Sequence, residues 1–108
     1  MNRAEFKIFM LQKTELIKTI FSMKQQQYST EFDQFHGFKK AAQLRDTSPE
    51  DILMGQMIKH VIALQDFIEA IKKGRKIELA AWNEKTMDVA CYMILLNGLA
   101  KDRAKKGI

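Results

Sequence analysis

Apolar residues recur every three or four positions through most of this 108-residue chain, which is the spacing of one face of an α-helix. Four such segments can be drawn, and none shows the strict alternation that is typical of a β-strand. The pattern predicts helices at about residues 3–26, 31–44 and 49–73, and a fourth from about 78–81 to beyond 99. We therefore predict an all-α domain, like a four-helix bundle.

The residues at the helix ends support this division. Ser48 is a predicted N-cap, Pro49 occupies the first helical position, and two acidic residues follow where the helix dipole is positive. Ser29 or Thr30 is the predicted N-cap of the second helix. Gly74 is the predicted end of the third helix, and the short turn after it would fold helices three and four into an antiparallel hairpin.

The apolar face of each helix predicts its contribution to the core. The predicted core residues are Phe6, Phe9, Met10, Leu16, Ile17, Ile20 and Phe21 in helix one, Phe32, Phe35, Phe38, Ala41 and Ala42 in helix two, Met54, Met57, Ile58, Val61, Ile68 and Ile71 in helix three, and Trp82, Val89, Tyr92, Leu96 and Leu99 in helix four.

Composition narrows the class of protein. With 46% apolar and 29% charged residues, the chain has the composition of one folded domain (1–108). Cys91 is the single cysteine, lies among apolar residues and is predicted to be buried. No apolar run approaches the ~20 residues of a membrane span, so we expect a soluble intracellular protein with no membrane partner. Seven methionines and the surplus of apolar residues favour a homodimer.

The formal net charge is +5, and four lysines are spaced along the first helix, at Lys7, Lys13, Lys18 and Lys24. Solvation and the capping of helix ends account for most basic residues elsewhere in the chain. If the surplus charge has a partner, this basic helix is the expected contact surface for an acidic protein or a guide RNA.

Four carboxylates of helices three and four are candidate metal ligands. Glu84 and Asp88 are four residues apart and Asp66 and Glu69 are three apart, so each pair shares a helix face. A hairpin centred near residue 75 would bring Asp66 level with Glu84. Oxygen ligands from two helices suit a Mg²⁺ or Mn²⁺ ion that bridges the phosphates of a nucleotide. The alternative is that these carboxylates form salt bridges with nearby lysines, and in that case no cofactor is expected.

Two histidines and two lysines are candidates for binding a nucleotide or a partner. His36 and Lys39 lie among three phenylalanines, a combination that can stack bases and contact phosphate, although the same spacing is typical of a core face. Lys59 interrupts an apolar run, where it either extends its amine to water or pairs with Asp88 across the hairpin. His60, beside it, is typical of a histidine satisfied within a core or interface.

The segment FDQFHGFKKAAQLRDTSPEDILMGQMIKHVIALQDFIE, followed by WNEKTMDVACYMILL, resembles a group of small phage and prophage proteins. The shared order is an aromatic-His-x-Phe-Lys segment, a Ser/Thr-Pro-Glu helix start, a Met-rich helix with Lys-His, and a Trp-x-Glu-Lys-x-x-Asp helix. The resemblance covers about residues 32–99. The pattern is also distantly similar to MazG-type and nucleotide-modification-associated all-α pyrophosphohydrolases, whose helices carry an acidic pair and a Glu-Glu-x-x-Asp set that bind Mg²⁺.

The second resemblance implies that Glu84 and Asp88 match the first and last carboxylates of that set. Lys85 stands where the second glutamate is expected, and a cation there removes a ligand and repels the metal. We therefore expect a non-catalytic phage accessory protein in the host cytoplasm that binds a host protein or ribonucleoprotein, for example an inhibitor of bacterial defence of the anti-CRISPR type. The alternative is a Mg²⁺-dependent nucleotide pyrophosphohydrolase, or a protein that only captures a nucleotide.

Overall fold

The computed structural model describes residues 1–28 and 33–107, without the side chains of residues 24–28. These residues contain no strand, and the all-α prediction is confirmed. Within the described residues, no helix is both long enough and apolar enough to span a membrane. The helices are α1 (Arg3–Tyr28), α2 (His36–Arg45), α3 (Pro49–Lys72) and α4 (Leu79–Lys105).

The ends of α3 form as the sequence predicts. The Ser48 hydroxyl accepts the backbone N–H of Asp51 at 3.1 Å, and Pro49 is the first helical residue. At the other end Gly74 has a φ of 79°, a left-handed conformation that favours glycine, and donates its N–H to the Ile71 carbonyl at 2.9 Å. This turn leads into α4, which packs along α3 as the predicted hairpin.

The start of α2 differs from the prediction. Ser29, Thr30 and Phe32 lie outside the described residues, but residues 33–35 form a turn and the helix begins only at His36. The Asp33 carboxylate accepts the Phe35 N–H at 2.9 Å, and the Asp33 carbonyl accepts the His36 N–H. This local bonding offers the backbone an alternative to helix, which is why the apolar period overestimated α2.

The core lies between α2, α3 and α4. The predicted core residues Phe38, Ala42 and Leu99 are buried, and so is Cys91. Residues that pack partly buried against this cluster are Phe35, Ala41, Tyr92, Leu95 and Leu96. The faces predicted for α2 and α4 therefore do form the core.

The predicted core face of α3 is largely wrong. Of that set Met57 is buried, but Met54, Ile58, Ile68 and Ile71 are each between 46% and 49% exposed. The side that enters the core carries Ile52 and Leu53 with Met57. α3 is apolar on more than one side, and within the described residues it contacts α2 and α4 but not α1, so only one of those sides is covered.

α1 packs loosely against α2 and α4, and none of its described side chains is buried. Ile17, Ile20 and Phe21 are half-buried as predicted. The predicted core residues nearer the N-terminus are exposed instead: Phe6, Phe9, Met10 and Leu16. Since Lys13 contacts Asn83, only four residues into α4, the first ten residues of α1 have little of α4 to pack against.

Candidate functional site

The α3–α4 hairpin encloses a small cluster of polar and aromatic side chains. His60 Nδ1 lies 3.4 Å from Asp88 Oδ2, and these side chains are 22% and 17% exposed. This distance is short enough for an ion pair when the imidazole is protonated. His60 Nδ1 is buried, however, and makes no well-aligned hydrogen bond. The Tyr92 ring stacks on His60 with centroids 5.6 Å apart, and its hydroxyl donates to Gln56 Oε1 at 3.4 Å.

The helical repeat explains how this cluster forms. Gln56 and His60 are one turn apart on α3, and Asp88 and Tyr92 are one turn apart on α4, so the two pairs face each other across the antiparallel hairpin. The predicted register placed Ile62 near Asp88. In the structure His60 lies beside Asp88 instead, and the side chain of Lys59 is exposed.

The four candidate carboxylates do not converge within one chain. Asp66, Glu69 and Glu84 are exposed, and only Asp88 is half-buried. Glu69 pairs with Lys72 at 3.2 Å on the surface, as the salt-bridge alternative proposed. Across the described residues, no group of three or more His, Cys, Asp or Glu side chains is arranged to hold a metal ion.

His36 and Lys39, the candidates on α2, have different environments. His36 is exposed at the first position of the helix. Lys39 Nζ contacts Asp33 Oδ2 at 3.0 Å and Asp102 Oδ2 at 3.5 Å, so it joins α2 to α4. The hydrogen bond to Asp33 raises the pKa of Lys39, against the opposing effect of burial. Lys39 therefore has a structural partner on each side.

One ion pair was not anticipated from the sequence. Arg103 donates through Nη2 and Nε to Glu50, with Nη2 2.6 Å from Oε1 and 2.5 Å from Oε2. The hydrogen bond from Arg103 lowers the pKa of Glu50 although burial opposes the shift, and the pKa of Arg103 is raised. The two residues lie at the ends of α3 and α4 that the antiparallel hairpin brings together, but they are not equidistant from the Gly74 turn, so residue counting does not predict this pair.

The lysines of α1 do not form one continuous basic face. Lys7 is exposed, and Lys18 pairs with Glu15 at 3.1 Å. Lys13 lies on another side of the helix, donates to Asn83 Oδ1 at 3.2 Å and places its Nζ 5.2 Å from the centre of the Phe9 ring. The side chain of Lys24 lies outside the described residues.

The fold defines an all-α protein built on a helical hairpin, with a loosely attached N-terminal helix. No family model, curated protein or solved structure matches this chain significantly. The resemblances to phage proteins and to MazG-type proteins therefore stay expectations from the motifs, and function has to be argued from the surface and the hairpin cluster.

Proposed function

We propose that this chain is a non-catalytic binding protein that acts on another protein through the N-terminal half of α1. The observation that carries the proposal is an apolar cluster formed by Phe6, Phe9 and Met10, which are 55%, 39% and 47% exposed. The two phenylalanine rings lie 6.0 Å apart and present a joint surface. Contiguous aromatic and methionine side chains at a surface are typical of protein contact sites.

The charges around this cluster indicate the chemistry of the partner. α1 carries five basic side chains against two acidic ones, and Lys13 stands over the Phe9 ring. A partner surface with an apolar patch edged by carboxylates would complement both features, because its carboxylates would meet the lysines while the aromatic rings fill the patch.

The resemblance to small phage proteins extends the proposal to a bacterial host factor. In that setting the chain disables its target by occupying a surface of it, and an anti-CRISPR inhibitor is one specific form of this activity. The support for this step is the motif order between residues 32 and 99, whereas α1 supplies the contact surface.

Site-specific photo-crosslinking in bacterial cells tests the contact surface. A benzophenone amino acid replaces Phe6 in one variant and Met93, an exposed methionine on α4, in the control. We expect one discrete crosslinked host protein from position 6 and none from position 93, and we expect the purified target to bind the chain directly. Equal crosslinking at both positions, or crosslinks to RNA alone, would overturn the proposal.

A plating assay tests the inhibitory activity. A host whose CRISPR system targets a phage is made to express the wild-type chain or the Phe6→Glu/Phe9→Glu variant. We expect the wild type to restore plaque formation by about tenfold or more and the variant to lose this effect, because two buried charges would oppose docking. If hosts that express the wild-type chain give no more plaques than hosts with the empty vector, the anti-CRISPR form of the proposal is wrong. The contact surface is then tested by the crosslinking experiment alone.

The resemblance to MazG-type proteins supports a second candidate function, the binding or hydrolysis of a nucleotide with Mg²⁺. Asp88, which matches the last carboxylate of the MazG-type set, is half-buried beside His60. Calorimetric titration with nucleoside triphosphates, with and without Mg²⁺, tests it directly. This candidate predicts saturable, Mg²⁺-dependent binding of a nucleotide to the wild type. Asp88→Asn should abolish the binding and should unfold at the same temperature as the wild type. Absence of binding by the wild type would exclude it.

A further inference from the structure

The molecule has too much surface for a single compact chain of its mass. Its solvent-accessible surface area is 8302 Å² for a mass of 12.6 kDa. The usual scaling of this area with mass in folded monomers gives about 6,200 Å². Its radius of gyration is 16.5 Å, against about 13 Å for a compact domain of this length. The excess of about 2,100 Å² is within the range that one subunit of an obligate homodimer buries, about 1,000–2,500 Å².

Part of this surplus lies on the N-terminal segment of α1, residues 3–12, which we call the α1 arm. Every residue of the α1 arm is exposed. Besides the cluster described above, Ile8 and Leu11 are 58% and 53% exposed on the opposite side of the helix. That side points away from α4, because Lys13 on the other side reaches Asn83. A helix that is apolar on opposite sides is typical of one buried between neighbours, and the chain itself buries neither side of the α1 arm.

The other part lies on α3. Met54, Gly55, Ile58, Ile62 and Ile68 run along the side of α3 that faces neither α2 nor α4, and we call this set the outer α3 stripe. Its large side chains are between 46% and 50% exposed. Residues from its first turns also line an open groove of about 480 Å³ beside Arg45. Met54, Ile58 and Ile62 of the stripe follow the i, i+4 spacing with which one helix packs on another.

Gly55 is the specific feature of this stripe. A glycine inside a helix costs about 1 kcal/mol relative to alanine, so a reason for it is expected. At Gly98 the reason is internal, because a Cβ there would lie 2.9 Å from Phe35 Cζ. At Gly55 nothing lies within 4 Å of the corresponding position. Close approach of a second helix from outside the chain supplies the reason that the chain itself does not.

The charges of the two surfaces are complementary. The α1 arm carries Arg3 and Lys7 against Glu5, and α3 has two basic and four acidic side chains. Asp51, Asp66 and Glu69 are exposed and recur at helical spacing with the stripe. These carboxylates, two of which were candidate metal ligands, therefore stand where the basic side chains of an approaching α1 arm would meet them.

We propose that a second copy of this chain covers both surfaces, with the α1 arm of each protomer lying along the outer α3 stripe of the other. The reciprocal arrangement has twofold symmetry and closes, so it gives a dimer and not a filament. It uses the Ile8 and Leu11 side of the α1 arm and leaves the Phe6, Phe9 and Met10 cluster for the partner proposed above. The dimer does not depend on that partner.

Sedimentation velocity on the purified full chain tests the proposal with three matched variants. Ile8→Glu alters the α1 arm, Ile58→Lys alters the outer α3 stripe, and Met93→Glu places a charge at a similarly exposed apolar position on α4. We expect the wild type and Met93→Glu to sediment at twice the chain mass. Ile8→Glu and Ile58→Lys should each weaken the dimer by about tenfold or more. Circular dichroism checks that all three remain helical.

Mixing the two interface variants tests which surfaces meet. In a mixed pair the intact arm of the Ile58→Lys chain can lie on the intact stripe of the Ile8→Glu chain. At a concentration where each variant alone is monomeric, dimer should therefore reappear in the mixture through this one of the two arm-to-stripe contacts. An arm-to-arm or stripe-to-stripe interface predicts no recovery. Gly55→Ala should also weaken association by filling the point of close approach.

Three results would overturn the proposal: a monomeric wild type at 100 μM in low salt, dimers insensitive to both interface variants, or no recovery on mixing. None of them bears on crosslinking from Phe6, so failure of the dimer and failure of the proposed function are distinguishable. A monomer that still crosslinks a host protein would assign the apolar surface to that protein instead.

Discussion

At the residue scale, stability depends on few side chains. The buried apolar residues of the described chain are Phe38, Ala42, Ile52, Leu53, Met57, Cys91 and Leu99. Leu53, at 0% exposure, lies at the centre of the cluster formed by α2, α3 and α4. A small core has little redundancy, so each of its members carries a large share of the stability.

Leu53→Ala should therefore lower the free energy of unfolding by about 3 kcal/mol, because it removes buried apolar surface and leaves a cavity. Leu44→Ala makes the same chemical change at a position that is 81% exposed, and we expect an effect under about 0.5 kcal/mol. Urea unfolding followed by circular dichroism measures both. Similar losses for the two variants would contradict the placement of the core.

Gly98 is predicted to resist substitution because of Phe35. A Cβ at this position would lie 2.9 Å from Phe35 Cζ, so Gly98→Ala should lower stability by about 1 kcal/mol despite the better helix propensity of alanine. In a Phe35→Leu background, which lacks the ring tip, the same substitution should cost less. A double-mutant cycle in urea measures the coupling, and additive effects would argue against the close contact.

At the element scale, ion pairs hold the helix ends together. Glu50 at the start of α3 pairs with Arg103 near the end of α4. Lys39 on α2 lies between Asp33 and Asp102. Lys106 donates a hydrogen bond that lowers the pKa of Asp102, in spite of some burial. These pairs link the three helices of the core at the end opposite the Gly74 turn, where the hairpin would otherwise separate.

The Glu50 pair predicts a pH dependence of stability. The pKa of Glu50 is below its ordinary value of 4.5 in the folded protein, so the folded state binds fewer protons and the stabilisation exists above that value. It is lost as pH falls through the lowered pKa. Glu50→Gln should therefore lower the unfolding temperature at pH 7 and have little effect near pH 3.

Thermal unfolding of wild type and Glu50→Gln across this pH range measures the difference. Glu84→Gln, a matched change at an exposed carboxylate of α4, is the control and should unfold like the wild type at both pH values. A Glu50→Gln effect that is equal at pH 7 and pH 3 would show that lost packing, and not the charge, is responsible.

At the scale of the whole molecule, the chain is elongated, with extents of 46 × 31 × 25 Å. α3 and α4 form a long hairpin, α2 closes one end of it, and α1 lies alongside with its first residues exposed. Such a shape leaves apolar surface on two helices at once, which is why association is the natural expectation for this protein.

If the dimer forms, its unfolding temperature must rise with protein concentration, because association stabilises the folded state by mass action. Differential scanning calorimetry between 5 and 200 μM, about a fortyfold range, should show this rise for the wild type. The Ile58→Lys variant should unfold at a temperature independent of concentration. A concentration-independent wild type would count against the dimer.

Helix periodicity and caps are local properties, so the sequence alone predicts the helices of this protein, the caps at Ser48 and Gly74, and the short turn of the hairpin. The apolar faces around Phe38 and Leu99 are also visible in the sequence, but they are buried only because α2, α3 and α4 pack together. The start of α2 was misplaced because the Asp33 carboxylate competes for local backbone groups, an effect that an apolar period does not report.

Which apolar faces are covered and which polar residues meet depends on how the helices pack together. Ile58 and Leu53 are both apolar residues of α3. Leu53 is buried because its side of α3 faces the other core helices, whereas Ile58 is exposed because, within the described residues, α1 does not pack on α3. The packing of α3 on α4 places His60 beside Asp88, and among the described residues it does not gather the four carboxylates into a group that could hold a metal ion. Helix-to-helix register depends on the packing of many side chains together, and no local pattern in the sequence fixes it.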